Sequence, residues 1–303
     1  MMLLSSSIKN LLDRFDLETA IHMMADAGFD AIDLSLSGKS YMHQFCGPET
    51  DRPAFRDEML KLRELAQARG IAFTQAHAPF SSSYVDPQRT KERFDEIVRA
   101  MRTASYLGVP KIVVHPVQHL TYIEDGVPER LYEMNVEFYR SLQPYCEEYQ
   151  IQVALENMWQ HIANHKIGHS TCSRPAEFCK YVDALDRKWF IACLDIGHAQ
   201  VVCEDPAEFI EALGADRLKC LHVHDVDGFL DNHTLPYHGT VNWSQVLRAL
   251  AKIGFTGDLT YEAEGFLSKA PNAAYLAGLR YMAEVGRAMI SEFQGYLAEY
   301  QAK

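Results

Sequence analysis

The feature that most constrains this chain is a unit repeated along nearly its whole length. A helical stretch ends in glycine, and a short apolar, β-branched run follows almost at once. Gly28 closes TAIHMMADAG ahead of AIDLSL, Gly70 closes EMLKLRELAQARG ahead of IAFTQAH, and Gly108 closes IVRAMRTASYLG ahead of KIVVH. Gly214 and Gly254 stand in the same way between PAEFIEALG and LKCLHVH, and between QVLRALAKIG and DLTYEAE. The residue after a helix often needs positive φ, which glycine adopts at least cost. Ser173 and Asp205 read as helix N-caps, with Pro175 and Pro206 in the first turns. Apolar runs fall near Ser5, Ile32, Phe73, Val113, Val153, Cys193, Leu221 and Leu259, at a mean spacing of about 36 residues, close to one β-α unit of an eightfold barrel. Strands alternating with helices imply a parallel sheet. A doubly wound open sheet competes, but no G-x-G-x-x-G follows the first strand. The expected fold is a single-domain α/β architecture, a (β/α)8 TIM barrel over residues 1–303, with an extra amphipathic C-terminal helix from about Pro271.

Composition narrows the class further. With 303 residues, 48% hydrophobic and 23% charged, the chain is neither disordered nor a disulfide-stapled miniprotein. Its net charge of −12 argues against a dedicated nucleic-acid binder, although a local basic groove is compatible with it. MMLLSSSIKNLL lacks the basic start and long apolar core of a signal peptide, and the apolar runs fall far short of the roughly 20 residues of a membrane span. Seven scattered cysteines without a C-x-x-C pair read as thiols in a reducing cytoplasm.

The chemistry is written at the strand ends. IAFTQAH stops at His77, KIVVH at His115, IQVALE at Glu156, FIACLD at Asp195, LKCLH at His222 and DLTYE at Glu262. In a TIM barrel the C-terminal strand ends converge on one mouth, so six consecutive strands would deliver six His, Asp or Glu side chains to it. Any one alone is an ordinary hydrogen-bonded edge residue. Six together need a compensating cation, and these are ligand types for zinc, manganese and similar divalent ions. His198 follows the sixth strand, and His224 alternates with His222, with Asp225 beyond. Asp231 and His233 lie in the loop after the seventh strand. Polar loop and turn roles are the plainer reading for His224, Asp225 and Asp231.

HAPF (77–80), VVHP (113–116), ALEN (154–157), CLDIGHA (193–199), LHVHD (221–225), DNHTLPYHGTVNW (231–243) and YEAE (261–264) resemble the ordered motifs of the xylose-isomerase-like TIM barrel superfamily. That group includes sugar isomerases and 3-epimerases, hydroxypyruvate isomerase, inosose dehydratase and endonuclease IV. The resemblance runs from about Ile71 to Glu264. By the pattern of the ketose epimerases it implies one divalent ion on Glu156, Asp195, His222 and Glu262, with His198 touching substrate oxygens. By the pattern of endonuclease IV it implies three zinc ions, with His77, His115, His198, Asp231 and His233 as additional ligands. One to three ions (manganese, zinc, magnesium or cobalt) are therefore expected. Where endonuclease IV has a small, glycine-rich ENTAGQG segment, this chain has Glu156-Asn-Met-Trp-Gln-His161. A bulky loop from Asn157 to Arg174, carrying Trp159, His161, His165 and His169, suits a small polyol better than a splayed duplex.

The expected function is a metal-dependent isomerase or epimerase of a small sugar or keto-polyol, working through an enediolate. Glu156 and Glu262 would be the catalytic bases, and His198, His224, Asn157 and Trp159 the substrate contacts. An inosose-type dehydratase shares the enolate. Zinc-dependent cleavage of abasic DNA is the rival, though its loops offer only Arg89, Lys91, Lys166 and Arg174 as cations. The expected partner is a small-molecule sugar or polyol, with neither nucleic acid nor membrane. The absence of a glycine-rich phosphate cradle favours an unphosphorylated substrate or one whose phosphate is weakly held. Phe293, Tyr296 and Tyr300 of the last helix would suit a homo-oligomer face, or packing on the barrel.

Overall fold

A computed structural model describes residues 2–38, 41–162 and 166–302. Among these residues, ten strands follow in chain order: β1 (Leu4–Ser7), β2 (Ala31–Ser35), β3 (Ala72–His77), β4 (Lys111–Val113), β5 (Gln152–Glu156), β6 (Trp159–His161), β7 (Ile167–His169), β8 (Phe190–Asp195), β9 (Leu218–His222) and β10 (Leu259–Tyr261). Eight of them form one parallel sheet in the order β10-β1-β2-β3-β4-β5-β8-β9. The ring closes just past β9, where Val223 N–H donates to Thr260 O at 2.8 Å and Glu262 N–H to Val223 O at 3.2 Å. Every apolar run expected as a strand is one, and the fold is a TIM barrel.

Helices cover the outside. Leu17–Ala27, Phe55–Ala68, Pro87–Leu107, Val127–Tyr149, Pro175–Asp183, Pro206–Arg217 and Trp243–Lys252 bridge the strands, and Asn272–Gln301 is the expected final helix. All five glycines expected to close helices carry positive φ. At Gly28, φ is +94° and an added Cβ would meet nothing within 4 Å, so backbone conformation alone requires glycine there. Asp205 caps its helix, accepting from Ala207 N–H at 2.8 Å. Ser173 does not cap. The helix begins one residue later, at Pro175 after Arg174, because the Ser173 hydroxyl is engaged by Ser170 N–H at 3.2 Å and His169 Nδ1 at 3.0 Å.

The bulky loop after β5 is also more regular than expected: β6 and β7 pair antiparallel, Trp159 opposite His169, as a hairpin beside the barrel mouth. His165 lies outside the described residues. On the last helix Phe293 is buried, and the Tyr296 hydroxyl meets Ser244 and Glu292, each at 2.7 Å, so these two pack on the barrel. Among the described residues, no helix is long and apolar enough to cross a membrane.

Candidate metal centre at the barrel mouth

The sheet's period of two positions the site. Val113, Ala154, Ile191, Cys193 and Cys220 form a separate apolar cluster, distinct from the larger core. Side chains alternate along a strand, so residues two further on share their face. Those residues are His115 after Val113, Glu156 after Ala154, Asp195 after Cys193 and His222 after Cys220. Glu156, Asp195, His222 and His77 end their strands. His115 lies two residues past β4 and Glu262 one past β10, so those two belong to strand exits rather than strands.

Four donor groups result among the described residues, each with its ligand atoms within 4.8 Å of one another; three are described next, and the fourth, His77, His222 and Glu262, is drawn from members of the first two. Glu156, Asp195, His222 and Glu262 form the first: His222 Nδ1 is 2.8 Å from Glu156 Oε1 and 3.2 Å from Glu262 Oε2. His77, His115 and Glu156 form the second, the two Nε2 atoms 3.0 Å apart and 3.5 and 2.9 Å from Glu156 Oε2. His198, His224, Asp231 and His233 form the third, with Asp231 Oδ2 3.2 Å from His198 Nε2 and 3.1 Å from His233 Nε2. All nine residues singled out in the sequence as ligand candidates are brought together, with His224 added.

The donor chemistry fits divalent cations. His77 Nδ1 lies 2.8 Å from Ala78 O, His198 Nδ1 2.8 Å from Asn157 O, and His233 Nδ1 2.7 Å from Glu262 O. Each Nδ1–H therefore donates to a main-chain carbonyl, which leaves Nε2, pointed at the carboxylates, as the atom that can lose its proton and bind a metal, the arrangement metal-binding histidines use. Glu156 Oε2 and Asp231 Oδ1 are buried and accept no hydrogen bond among the described residues. Lone pairs crowded onto a buried carboxylate require a proton or a cation between them.

Electrostatics agree with a charged floor. Burial opposes ionisation of Glu156 and Asp195, yet His222 and His115 hold Glu156 well below the usual carboxylate range, and His198 and His224 hold Asp195 below it. Glu262 goes the other way: burial, with Glu264 and Glu156 nearby, pushes it up to about 8 against the pull of His222 and His233.

Above the groups opens a cavity of about 680 Å³, lined by Phe80, Tyr84, Met158, Trp159 and Gln160 over a floor of His77, His115, Glu156, His198, Asp231, His233 and Glu262. Phe80 stacks on His115, ring centres 4.7 Å apart. His161 also lines the cavity, whereas His169 turns away to Ser173 and Glu204. Among the described residues, neither Lys nor Arg lines this wall. Arg89 lies over Tyr84, Lys91 pairs with Asp95 and Arg174 faces Glu204; Lys166 is exposed.

Two expected substrate contacts are corrected by this geometry. Asn157 is spent inside the wall, donating to Asp195 O at 2.9 Å and accepting from Asp195 N–H at 2.7 Å. His224 is fully buried, its Nε2 3.0 Å from both Asp195 oxygens and its ring stacked on His233 at 3.9 Å. His198 and Trp159 do line the cavity, but the Trp159 N–H is committed to Asp231 Oδ2 at 2.9 Å.

Other supporting residues stand behind the ligands. Asp33 is buried behind His222, 3.7 Å from its Nε2; an acid inside AIDLSL was the clue. Glu264 alternates with Glu262 and reaches His233 Nδ1 at 3.5 Å and the Ser7 hydroxyl at 2.5 Å. Asp225 is no loose loop residue: its carboxylate accepts from Val226, Tyr237 and Val241 N–H and from the Trp243 indole, tying the segment after β9 into shape.

Comparison with known proteins gives the relationship. The sequence pattern of the xylose isomerase-like TIM barrel family matches residues 21–285. An uncharacterised protein of Methanocaldococcus jannaschii is 27% identical over 255 residues, 81% of this chain and 78% of that one. One of Sinorhizobium fredii is 23% identical over 257 residues, 80% of this chain and 79% of that one. Among solved structures, a D-tagatose 3-epimerase-like protein superposes with a TM-score of 0.73 at 23% identity, covering 98% of this chain and 99% of its own. The IolI protein with a bound zinc atom gives 0.73 at 18% identity, covering 99% of each. At such identities these structures speak for the fold, and the family match covers most of the sequence. The chain belongs to the xylose isomerase-like TIM barrel family.

Proposed function

We propose that this protein is a divalent-metal-dependent isomerase or epimerase of an unphosphorylated sugar or keto-polyol. The observation that carries the reading is the Glu156, Asp195, His222, Glu262 group opening onto a cavity whose described wall offers aromatic faces and neutral hydrogen-bonding groups but no Lys or Arg. A phosphorylated substrate would call for a cationic or helix-terminal partner there. Epimerase-like neighbours of the same fold are consistent with it.

These four residues would hold the ion, which when bound supplies a Lewis acid for the substrate's carbonyl and adjacent hydroxyl oxygens. Glu156 and Glu262, with β8 and β9 between their strands, reach the cavity from different sides. One of the two would take a proton from one carbon and the other return one to the neighbouring carbon or to the opposite face. His198, fixed by Asn157 O, orients the substrate, and Phe80 and the Trp159 ring shield it from water. Glu262→Gln is expected to abolish incorporation of solvent deuterium into a bound keto-sugar; retained exchange sinks this role for Glu262. An inosose-type dehydratase would share these residues and add loss of hydroxide.

One observation favours a second reading. Taken with the first group, the additional donor groups supply every ligand position that the resemblance implies for three-zinc cleavage of abasic DNA. Against it stand the uncharged wall and the net charge of −12, which offer a phosphate backbone little. Steeply salt-dependent binding to an abasic duplex would decide for the nuclease.

A further inference from the structure

We infer that Trp159 is a positioning residue that seats Asp231 for a cation in the third donor group, and thereby couples the β6–β7 hairpin to that site. The inference rests on the reading that the barrel mouth holds divalent ions, and goes beyond it by giving a cavity-wall tryptophan a role in ion binding.

Asp231 sits in the long segment between β9 and the helix at Trp243, and no strand holds it. Its Oδ2 receives three groups: Trp159 Nε1 at 2.9 Å, His198 Nε2 at 3.2 Å and His233 Nε2 at 3.1 Å. The two imidazoles have already given their Nδ1–H to the carbonyls of Asn157 and Glu262. Once a cation takes their Nε2 lone pairs, neither ring has a hydrogen left for Asp231. The indole N–H has no lone pair to give a metal and is always a donor. Among the described residues it is thus the side-chain contact to Asp231 that survives ion binding unchanged. It also leaves Oδ1, buried and accepting no hydrogen bond, as the free ligand atom, 3.8 Å from His224 Nε2.

The tryptophan is itself anchored. Trp159 pairs with His169 across the hairpin, Met158 N–H donates to Thr171 O at 3.1 Å, and the indole lies edge-on to His161 at 5.0 Å. One edge of the ring thus fixes a ligand while the ring lines the cavity. A partner that orients a metal ligand in this way is typically worth 10–100-fold in ion affinity.

The test uses the full chain stripped of metal and titrated with Co²⁺, followed by its visible absorption and by indole emission. The informative variant carries β-(3-benzothienyl)alanine at position 159, which keeps the ring's shape and replaces N–H by sulfur; Trp159→Phe is the second variant. Asp231→Asn identifies the binding step that belongs to the third group. The expected result is that the benzothienyl chain loses 10–100-fold in affinity at that step and keeps the other steps unchanged. Wild-type affinity at that step in the benzothienyl chain overturns the role of Trp159 alone. If Asp231→Asn removes no step from the wild-type titration, the third group is not a cation site and the inference falls, while a single ion at Glu156, Asp195, His222 and Glu262 would still stand.

Discussion

Gly197 offers a sharp test of how the site is built. It occupies the second position of the short helix Ile196–Val201, between Asp195 and His198, and its φ needs no special freedom. Space is what forbids a side chain. An added Cβ would lie 2.0 Å from His224 Cε1, 2.5 Å from Nδ1 and 2.7 Å from Nε2. Ordinary contact begins near 3.4 Å, so the ring would have to retreat by about 1.4 Å. Its retreat is resisted: its Nε2 is held 3.0 Å from Asp195, a contact that withdrawal would break, and its flat face lies on His233 at an interplanar angle of 8°. Overpacking of this kind costs about 1–3 kcal/mol, and loosening the bond to Asp195 about 1.5–3 kcal/mol more, while alanine's helix propensity returns roughly 1 kcal/mol. Gly197→Ala should therefore lose about 1.5–5 kcal/mol, lowering the melting temperature by roughly 2–8 °C. A displacement of that size at an active site also costs on the order of 100-fold in rate. The assay is thermal unfolding by circular dichroism, run as a double-mutant cycle with His224→Ala. Deleting the ring should absorb most of the Gly197→Ala penalty. A penalty that persists unchanged without the ring would refute the steric argument.

A second glycine predicts the opposite sign. Gly295 lies inside the helix Asn272–Gln301 with nothing within 4 Å of an added Cβ, so Gly295→Ala should stabilise by about 0.5–1 kcal/mol in chemical denaturation. Glu177 predicts a pH dependence: burial pushes it up to about 7, despite the Tyr122 hydroxyl and Arg174. A carboxyl raised on folding stabilises fully below its unfolded pKa of 4.5 and loses that contribution as pH rises through about 7. Glu177→Gln should flatten the fall in stability between about pH 4.5 and 7, by a few kcal/mol at most; an unchanged slope removes Glu177 as its source. Finally, ion binding should release protons. Against burial, Asp195 and Asp231 raise His198 to about 10, and Asp231 and Glu264 raise His233 well above its ordinary range, so both rings are protonated near pH 7.5 until a metal takes their place. Calorimetry of Zn²⁺ binding in buffers of different ionisation enthalpy should give at least one proton released per third-group ion, and none would contradict it.

Much of this was legible because the barrel converts a one-dimensional rule into a three-dimensional one. A run of alternating residues that ends in His, Asp or Glu must aim that group at the mouth, so His77, Glu156, Asp195 and His222 could be placed from their strands alone. What lies beyond the strands obeys no period. The β6–β7 hairpin has only three residues a side, too few for alternation to stand out, and its Trp159 looked like a substrate platform because nothing local shows a hydrogen bond spanning 72 residues to Asp231. His224 alternates with His222 as its strand requires, but what holds it is Asp195 and the space above Gly197 that its ring fills, neither of which is adjacent in sequence. Asn157 misled for the same reason: a polar residue after a strand reads as a ligand contact, whereas here it bridges the ends of β5 and β8.

The charges of the floor and of the wall point to a common conclusion. Asp33, Glu156, Asp195, Asp231, Glu262 and Glu264 gather six acids around six imidazoles that are neutral whenever they act as ligands. Burial at this density demands positive charge, from protons on the rings or from cations between them. Evolution has met such demands elsewhere with arginine or lysine, yet the described cavity wall has neither. A fixed cation would neutralise the floor without offering a substrate anything to bind. A divalent ion does both, since it satisfies the carboxylates and still polarises an incoming oxygen. Its charge is then consumed mostly by the floor, leaving little for a second anion. On the proposed function, the substrate would be one whose oxygens are neutral on arrival and become negative only during reaction, as those of a ketose do when its carbon gives up a proton.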